Sequence, residues 1–569
     1  MFKKSVIFFG LIFLVGSSCV LAQENNKVGM HVAVPDENEL KQVAQLVNSS
    51  GGDWGYVTVV IQENDLNKQK WQDVFNRMRE LHLIPIVRVA TQPQTGGFWR
   101  CPEKPDIDKW VDFLDSLNWV IKNRYIVLFN EPNHAAEWGG RVDPEGYAGV
   151  IKEFSNKLKE RNPNFFVMMA GFDSAAPNQP PGYMDEYEYL RRMHLAVEGG
   201  LPEIYKTLDG WVSHSYPNHG YVGSPYDSGR NSILNYQWEL QVLRNFGVNK
   251  NLPVFITETG WPHFEGFAGQ TGYYSADQVA KNYQTYFQRV LPDERVMAIT
   301  PFIFNYQGEP FDHFSWRKPN SDEFYPQYET VLGISKTAGE PEQDHILEIK
   351  DLPPSKLIHN STYRFYFDIT NQGQAIWDAQ DGYSLELGGP DSDSVEYFFS
   401  DLPEIAPFQT KEISLSLKTP DRAMNYELQV MIYKNGKPVS NSVEWDIEVR
   451  PKIDLEVSVK PLLWWGAKGK NLKFLIYDAN EQVVFHRQGL SLVDGQLTLE
   501  QIDNVALDEE YRLVLVKPGS LPRQTYITFH GPGLNKAGFK FLIPIDFNHD
   551  GKFSWQDFIV PFQHLRMRF

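Results

Sequence analysis

Two glutamates lie in short polar motifs that make them candidates for catalytic residues. Glu131 lies in the segment NEPN and Glu258 in the segment TETGW, and each follows a run of apolar residues. Two opposed carboxylates can share one reaction, since one protonates a leaving oxygen while the other attacks a carbon atom or activates water. Glycosidic bond cleavage needs such a pair. The alternative is that each is a salt-bridged glutamate at a strand end.

Eight apolar runs, separated by amphipathic stretches, must position these glutamates. The runs are apolar nearly throughout, which is typical of strands covered on both faces. We predict a (β/α)8 barrel over residues 23–340, in which strands four and seven face each other and catalytic groups lie at the C-terminal strand ends. A doubly wound sheet is the rival, but no G-x-G-x-x-G follows the first run. The runs are 28–35, 55–62, 83–91, 125–132, 165–173, 208–217, 252–262 and 296–307.

After residue 340 the pattern changes to alternation with period two. Tyr363, Phe365 and Phe367 share one predicted face, and an Asn435-Gly436 turn follows a later alternating run. Short alternating strands with turn signals predict all-β modules. We therefore predict a multidomain chain: the barrel, a β-sandwich over 341–450 and a second β-rich module over 451–569.

Composition excludes several classes of function. The chain has 569 residues and a net charge of −18, which argues against nucleic acid and anionic lipid as partners. Its two cysteines exclude a disulfide framework. The sequence has no zinc-type cluster and no phosphate-binding loop, so we predict catalysis without a cofactor. We expect a monomer.

The N-terminus predicts export. Lys3 and Lys4 precede a short apolar run at 6–15, and Val20-Leu21-Ala22 offers a cleavage site. This is the pattern of a signal peptide, here residues 1–22, and no later run is long enough to span a bilayer. Cys19 leaves lipid attachment open as an alternative. We expect a secreted or cell-surface protein.

The segments FNEPN and ITETGWP together resemble the clan of retaining (β/α)8 glycoside hydrolases that contains cellulase family 5. The resemblance covers about residues 27–335. It implies that Glu131 is the general acid/base and that Glu258 is the nucleophile. It also implies that Asn130 hydrogen-bonds the 2-hydroxyl group of the sugar.

Three further residues resemble the same clan. His214 and Tyr216, in SHSYP, are similar to a His-x-Tyr pair that lines the sugar subsite and hydrogen-bonds the nucleophile. Arg88 resembles the arginine that keeps the nucleophile ionised, and a nearby cation does lower a carboxyl pKa. Structural roles in the barrel are the alternatives for all three.

The family within the clan stays open. Family 5 members usually carry a histidine between the arginine and the Asn-Glu pair, and none occurs from Phe98 to Phe129. They also carry a tryptophan at the end of strand eight, where this chain has Phe304-Asn305-Tyr306. The segment TETGWP also resembles families acting on β-1,3-glucans and galactans.

Aromatic residues in the predicted loops are candidates for sugar platforms, since a ring can cover the apolar face of a sugar. Trp138 and Trp261 are favoured by their closeness to the two glutamates, with core packing as the alternative for each. Trp464 and Trp465 form a further candidate in the last module. The loop aromatics are Trp54, Trp99, Trp138, Trp261, Trp316 and Tyr306.

A segment near the C-terminus matches a calcium loop. Oxygen-bearing side chains recur at positions 1, 3, 5, 9 and 12, with Gly551 at position 6. A backbone carbonyl would serve at position 7, and an aspartate at position 12 resembles a single dockerin-type loop. We predict structural Ca²⁺ there, with a metal-free polar turn as the alternative. The predicted ligands are Asp546, Asn548, Asp550, Lys552, Ser554 and Asp557.

The leading hypothesis is an exported retaining glycoside hydrolase that cleaves a β-linked polysaccharide or oligosaccharide. Its rival is an inactive carbohydrate-binding or surface-layer protein that keeps the barrel. Loss of either glutamate would favour the rival, and both are present. Transglycosylation uses the same residues and stays open.

Overall fold

The computed structural model describes residues 25–265, 272–460, 469–531, 533–557 and 559. The predicted signal peptide with Cys19, and the Trp464-Trp465 pair, lie outside these residues. The chain divides into two compact units, one ending at Gln343 and the other beginning at Asp344. We call them the α/β unit and the β-rich unit. None of the helices found in the described residues is long and apolar enough to cross a membrane.

The α/β unit alternates strands with helices, and each of the eight predicted apolar runs overlaps one parallel strand. Nearly all strand residues are buried, as strands covered on both faces require. Except for β2, which ends with its run at Gln62, the strands stop before the runs do, so the C-terminal part of the other runs forms a loop. The strands are β1 (Gly29–Val32), β2 (Gly55–Gln62), β3 (Leu83–Ala90), β4 (Arg124–Leu128), β5 (Phe165–Met169), β6 (Trp211–His214), β7 (Val254–Glu258) and β8 (Val296–Ile299).

The strands neighbour each other in chain order. β1 to β5 form one parallel sheet, and β6 to β8 form another. A parallel bridge between Val28 and Ile299 joins β1 to β8. At the other junction the Asp209 N–H, just before β6, donates to the Val167 carbonyl oxygen on β5 over 2.8 Å. This is the order of neighbours expected in a (β/α)8 barrel, and it brings the C-terminal ends of β4 and β7 to the same end of the unit.

Local capping fixes where the helices begin. Asp143 accepts a hydrogen bond from the Gly146 N–H, and Pro144 occupies the first turn of α4. Tyr147, Ile151 and Phe154 on α4 are buried, because they lie on one helical face. The helices are α1 (Glu37–Val47), α2 (Lys68–Glu80), α3 (Lys104–Asp115), α4 (Pro144–Arg161), α5 (Glu186–Ala196), α6 (Leu201–Ile204), α7 (Asn235–Asn245), α8 (Ala276–Val290) and α9 (Pro326–Leu332).

The β-rich unit contains two hydrophobic clusters. One is built mainly from residues 347–449 and the other mainly from residues 453–539. The strands are β9 (Leu347–Glu348), β10 (Lys356–Ile358), β11 (Thr362–Asn371), β12 (Tyr383–Gly388), β13 (Glu396–Phe399), β14 (Thr410–Lys418), β15 (Asn425–Tyr426), β16 (Gln429–Lys434), β17 (Lys437–Pro438), β18 (Val443–Glu444), β19 (Ile447–Arg450), β20 (Ile453–Val459), β21 (Gly469–Tyr477), β22 (Val483–Leu492), β23 (Gln496–Ile502), β24 (Glu510–Val516), β25 (Arg523–Thr528) and β26 (Leu534–Phe539).

Candidate active site

Four of the predicted site residues meet at the C-terminal ends of four strands. Arg88 lies on β3, Glu131 follows β4, His214 ends β6 and Glu258 ends β7. A carboxylate oxygen from each glutamate and a ring nitrogen of His214 all lie within 4.8 Å of one another. Residues more than a hundred positions apart therefore share one site.

Glu258 is held by donors on both carboxylate oxygens. Arg88 Nη1 donates to Oε1 over 2.6 Å, and the Tyr216 hydroxyl donates to Oε2 over 3.2 Å. The same Arg88 nitrogen donates to Asn130 Oδ1 over 2.5 Å. Glu258 is only 8% exposed, so these bonds fix its orientation toward the pocket.

His214 contacts Glu131 more closely than it contacts Glu258. Its Nδ1 lies 2.8 Å from Glu131 Oε1 and 3.9 Å from Glu258 Oε2. Of the His-x-Tyr pair that the resemblance implied to hydrogen-bond Glu258, Tyr216 makes that bond and His214 contacts Glu131. The ring fits because Gly171 has no side chain: a Cβ atom there would meet His214 Cδ2 at 2.4 Å.

The charges around Glu258 keep it ionised. Burial alone would raise its pKa, but His214 and Arg88 lower the pKa to about 2. Burial lowers the pKa of His214, yet Glu258 and Glu131 together raise it above the ordinary value. The positive charge of the Arg88 guanidinium beside Glu258 disfavours the binding of a metal cation by the same carboxylate. A carboxylate that stays anionic at every ordinary pH suits a nucleophile.

The backbone around Glu131 is unusual. Phe129 has φ of 75° and Glu131 has φ of 24°, both in the left-handed region that residues with a side chain rarely adopt. Such conformations cluster at functional sites, where the surrounding structure holds them in place. Here they turn the Glu131 side chain toward His214.

A pocket of about 310 Å³ opens in front of these residues, and it contains a third carboxylate that the sequence analysis missed. Glu137 lies on a short 3-10 turn, Ala135–Glu137, and lines the pocket with Glu131 and Glu258. Burial and the Glu131 charge raise the pKa of Glu137 to about 7. The only signal in the sequence was its position six residues after Glu131.

The structure corrects the predicted aromatic platforms. Trp138, Trp261 and Trp316 are 1–2% exposed, so none offers a ring face to a sugar. Trp138 packs edge-on against Phe129 and Tyr147, and the other two pack against Tyr283. These three predictions of sugar platforms are wrong, because each indole ring packs into the core instead of facing the pocket.

Other aromatic side chains line the pocket. Tyr306 is half-buried against Phe311, while Phe311 itself faces the pocket. Trp54 stacks on His82 instead. Among the loop aromatics named from the sequence, Trp99 is the one that reaches the pocket. The aromatic lining is Trp99, Phe129, Tyr216, Tyr221, Phe302, Phe311 and Phe314.

The C-terminal loop at 546–557 is folded by hydrogen bonds between its own residues. The Gly551 N–H donates to Asp546 Oδ2 over 3.1 Å, and the Ser554 N–H donates to Asp557 Oδ2 over 2.7 Å. Gly551 has φ of 79°, which explains the glycine. Asp546 is 4% exposed, and its Oδ1 has no hydrogen-bond partner among the described residues. A buried carboxylate oxygen left unpaired fits a cation ligand.

Arg88→Met should move the acidic limb of the pH–activity profile to higher pH. Glu258 would lose the guanidinium that lowers its pKa, so a larger share would be protonated and inactive at mildly acidic pH. We also expect activity at neutral pH to fall about 10²-fold. The measurement is kcat/KM between pH 3 and 8.

Arg88→Lys is the matched control, because it keeps the positive charge and loses the second guanidinium nitrogen. Its acidic limb should stay near that of the wild type. An acidic limb that is unchanged in Arg88→Met would contradict the assigned role.

Comparison with known proteins finds only distant similarity. No protein-family model matches the chain, and no curated protein matches it. A calcium-binding mutant of the Bacteroides uniformis beta-glucuronidase 2 is 11% identical, with a TM-score of 0.35. That match covers 89% of this chain, which spans 62% of the length of the beta-glucuronidase.

Two other solved structures are similar at the same level. A bacterial orthologue of human α-L-iduronidase is 11% identical over 87% of this chain and 95% of its own, with a TM-score of 0.36. A beta-glucanase from Saccharophagus degradans, in complex with cellotetraose, is 12% identical, with a TM-score of 0.31. That match covers 54% of this chain and 86% of the beta-glucanase chain. Similarity this distant does not assign the chain to a family.

Proposed function

We propose that the protein is an exported retaining glycoside hydrolase that cleaves a β-linked polysaccharide or oligosaccharide. One observation carries the proposal: Glu131 and Glu258 present carboxylate oxygens within 4.8 Å of each other in one pocket. Carboxyl groups about 5–5.5 Å apart suit double displacement, whereas about 6.5–9.5 Å leaves room for the water of an inverting enzyme.

In the first step Glu258 attacks the anomeric carbon as Glu131 protonates the departing glycosidic oxygen. The C–O bond to the leaving group breaks, and an ester forms between the sugar and Glu258. Arg88 and Tyr216 keep Glu258 anionic and aimed beforehand. Little reorganisation is then needed in the transition state.

In the second step Glu131, now a carboxylate, takes a proton from water. The water oxygen attacks the anomeric carbon and displaces Glu258, which restores both groups. His214 lies 2.8 Å from Glu131 and holds its carboxylate in place through both steps. The anomeric configuration is kept, since it inverts twice.

Asn130 and Glu137 shape the sugar subsite. Arg88 anchors the Asn130 side-chain oxygen, so its amide N–H groups point to acceptors. One such acceptor is Glu137, which forms a hydrogen bond with Asn130. A sugar hydroxyl entering here would accept from Asn130 and donate to Glu137.

A polysaccharide panel with product sizing tests the function. Mature wild-type protein is incubated with neutral and acidic β-linked polysaccharides, and Glu131→Gln/Glu258→Gln serves as the blank. Release of sized products by the wild type alone supports the proposal. No release from any member would contradict it.

We also propose that the loop at 546–557 binds Ca²⁺ as a structural ion. Asp546, Asn548, Asp550, Ser554 and Asp557 would supply side-chain oxygens, and Lys552 its backbone carbonyl. The unpaired Asp546 Oδ1 supports this assignment. Ca²⁺ would neutralise three carboxylates that repel one another, which stabilises the folded β-rich unit.

Chelator should therefore lower the unfolding temperature of the β-rich unit. A ligand that binds only the folded state stabilises by about 2.7 kcal/mol at a hundredfold excess over Kd. Calorimetry of the full chain, with EDTA and with added Ca²⁺, measures the shift. Asp546→Ala should abolish the difference, while activity on a small substrate should be independent of Ca²⁺.

Superimposable calorimetric traces in EDTA and in Ca²⁺ would overturn the metal site. A calcium requirement for activity would place the ion in the α/β unit instead.

A further inference from the structure

The β-rich unit contains a second cleft, larger than the catalytic pocket. Its volume is about 640 Å³, within the range of ligand sites. It lies where β11 and β14 approach the β21–β22 turn and the start of β24. The lining residues used below are Arg364, Tyr366, Ser416, Asn480, Gln482 and Glu510.

One wall of the cleft is an open sheet face with aromatic rings. Tyr363 and Phe367 on β11 point into the core, so Arg364 and Tyr366 point to the other face. Tyr366 is 40% exposed, and the Arg364 guanidinium lies 5.7 Å from its ring. The Tyr366 ring does not pack against the core, so one of its faces is available to a ligand.

The same face continues across the sheet. Arg364 is paired with Ser416 on β14, and Ser416 is paired with Phe398 on β13. Phe398 is 67% exposed and lies two strand spacings from Arg364, or about 9–10 Å. The small Ser416 lies between Arg364 and Phe398, so the sheet face is low at this point and the Phe398 ring stands at its far side.

The opposite wall combines the polar side chains of the β21–β22 turn with the apolar Val483 and Val484, and the turn has a fixed shape. Asp478 Oδ1 accepts hydrogen bonds from the N–H groups of Asn480 and Gln482, over 2.9 and 2.8 Å. This turn holds both amide side chains at the cleft. Amide groups both donate and accept, as is needed to bind hydroxyl groups.

The charge of the cleft selects against anionic ligands. Asp478, Glu509 and Glu510 line it, whereas Arg364 is the one basic residue among the described lining residues. A uronate polymer or a nucleic acid would be repelled. A neutral sugar chain would not be, and its apolar ring faces and hydroxyl edges match the two walls.

We propose that this cleft is a binding site for a neutral β-linked glycan, separate from the catalytic pocket. Tyr366 stacks on one sugar ring, and Phe398 extends the platform to a further ring along the chain. Asn480 and Gln482 hydrogen-bond the hydroxyl groups. The site would keep the enzyme on its polysaccharide between cleavage events.

Titration calorimetry with the full-length Glu258→Gln protein tests the proposal, since this variant does not consume its ligand. The probes are cellohexaose, laminarihexaose and mannohexaose. At least one should bind with a stoichiometry of two, one molecule in each site. In Tyr366→Ala/Glu258→Gln, affinity at one of the two sites should fall about tenfold or more.

Two further variants keep the test sharp. Gln482→Ala, on the opposite wall, should weaken the same site without changing the sheet. Tyr526→Ala is the matched control: Tyr526 is 56% exposed on β25, does not line the cleft and should leave both sites intact. Near-ultraviolet circular dichroism checks that each variant is folded.

No binding of any of the three hexasaccharides, or a single site whose affinity Tyr366→Ala leaves unchanged, would overturn the proposal, as would equal affinities in the Tyr366 and Tyr526 variants. Binding of oligogalacturonate at this cleft would overturn the charge assignment. A failed hydrolase assay with two-site binding intact would count against the proposed function alone.

Discussion

Glu258→Gln should remove nearly all turnover. An amide cannot displace the leaving group to form the glycosyl ester, so the loss should be about 10⁴-fold or more in kcat, on every substrate. That loss corresponds to a barrier higher by about 5.4 kcal/mol. The measurement is kcat and kcat/KM on the best substrate from the panel and on an aryl glycoside of the same sugar.

Glu137→Gln is the matched control for this variant. It removes a carboxylate from the same pocket, but one that hydrogen-bonds Asn130 and has no part in the proposed attack on the anomeric carbon. We expect its kcat to fall about tenfold, the scale of one hydrogen bond. Equal losses in the two variants would contradict the nucleophile assignment.

Glu131→Gln should lose activity in a way that depends on the leaving group. An acidic phenol departs without help, so kcat/KM on an activated aryl glycoside should fall by less than about tenfold. A sugar leaving group needs protonation, so kcat/KM on the natural substrate should fall about 10²–10⁴-fold. The second step still needs a base, and kcat should fall on both substrates.

A low KM on the aryl glycoside should accompany the low kcat, because the glycosyl ester accumulates. Equal falls in kcat/KM on activated and natural substrates would count against Glu131 as the acid. If kcat/KM of Glu258→Gln, and not that of Glu131→Gln, fell more on the natural substrate than on the activated one, the two roles would be exchanged.

The α/β unit could be predicted because its signals are local. Runs such as 55–62 and 83–91 are apolar throughout, and a strand buried on both faces imposes that pattern. Strand order then places residues at the C-terminal ends together, which is why Glu131 and Glu258 could be paired across 127 positions. The split near residue 340 followed from the change of period.

The aromatic subsites could not be predicted, since they depend on loop conformation. Trp138 and Trp261 lie as close to the glutamates in sequence as any platform would, yet both rings turn into the core. Tyr221 and Phe311 lie further from either motif and reach the pocket. Sequence distance from a motif says little about which way a loop side chain points.

Glu137 and the second cleft were missed for a similar reason. Glu137 reaches the pocket through a single 3-10 turn that has no strong sequence signal. The second cleft brings Tyr366 and Gln482 together from segments more than a hundred residues apart. Period-two alternation put Tyr363 and Phe367 on one face, and both are buried, but it gives no information on what faces Tyr366.

Trapping the glycosyl ester tests the central claim most directly. Wild-type protein is incubated with a 2-deoxy-2-fluoro glycoside that carries a good leaving group, made from the sugar that the panel identifies. The fluorine slows both steps, and the good leaving group keeps the first step faster than the second, so the ester should accumulate and survive peptide mass spectrometry. We predict one fluorosugar adduct, located on Glu258. An adduct on Glu131 or on any other residue would contradict the proposed mechanism, as would inactivation without an adduct.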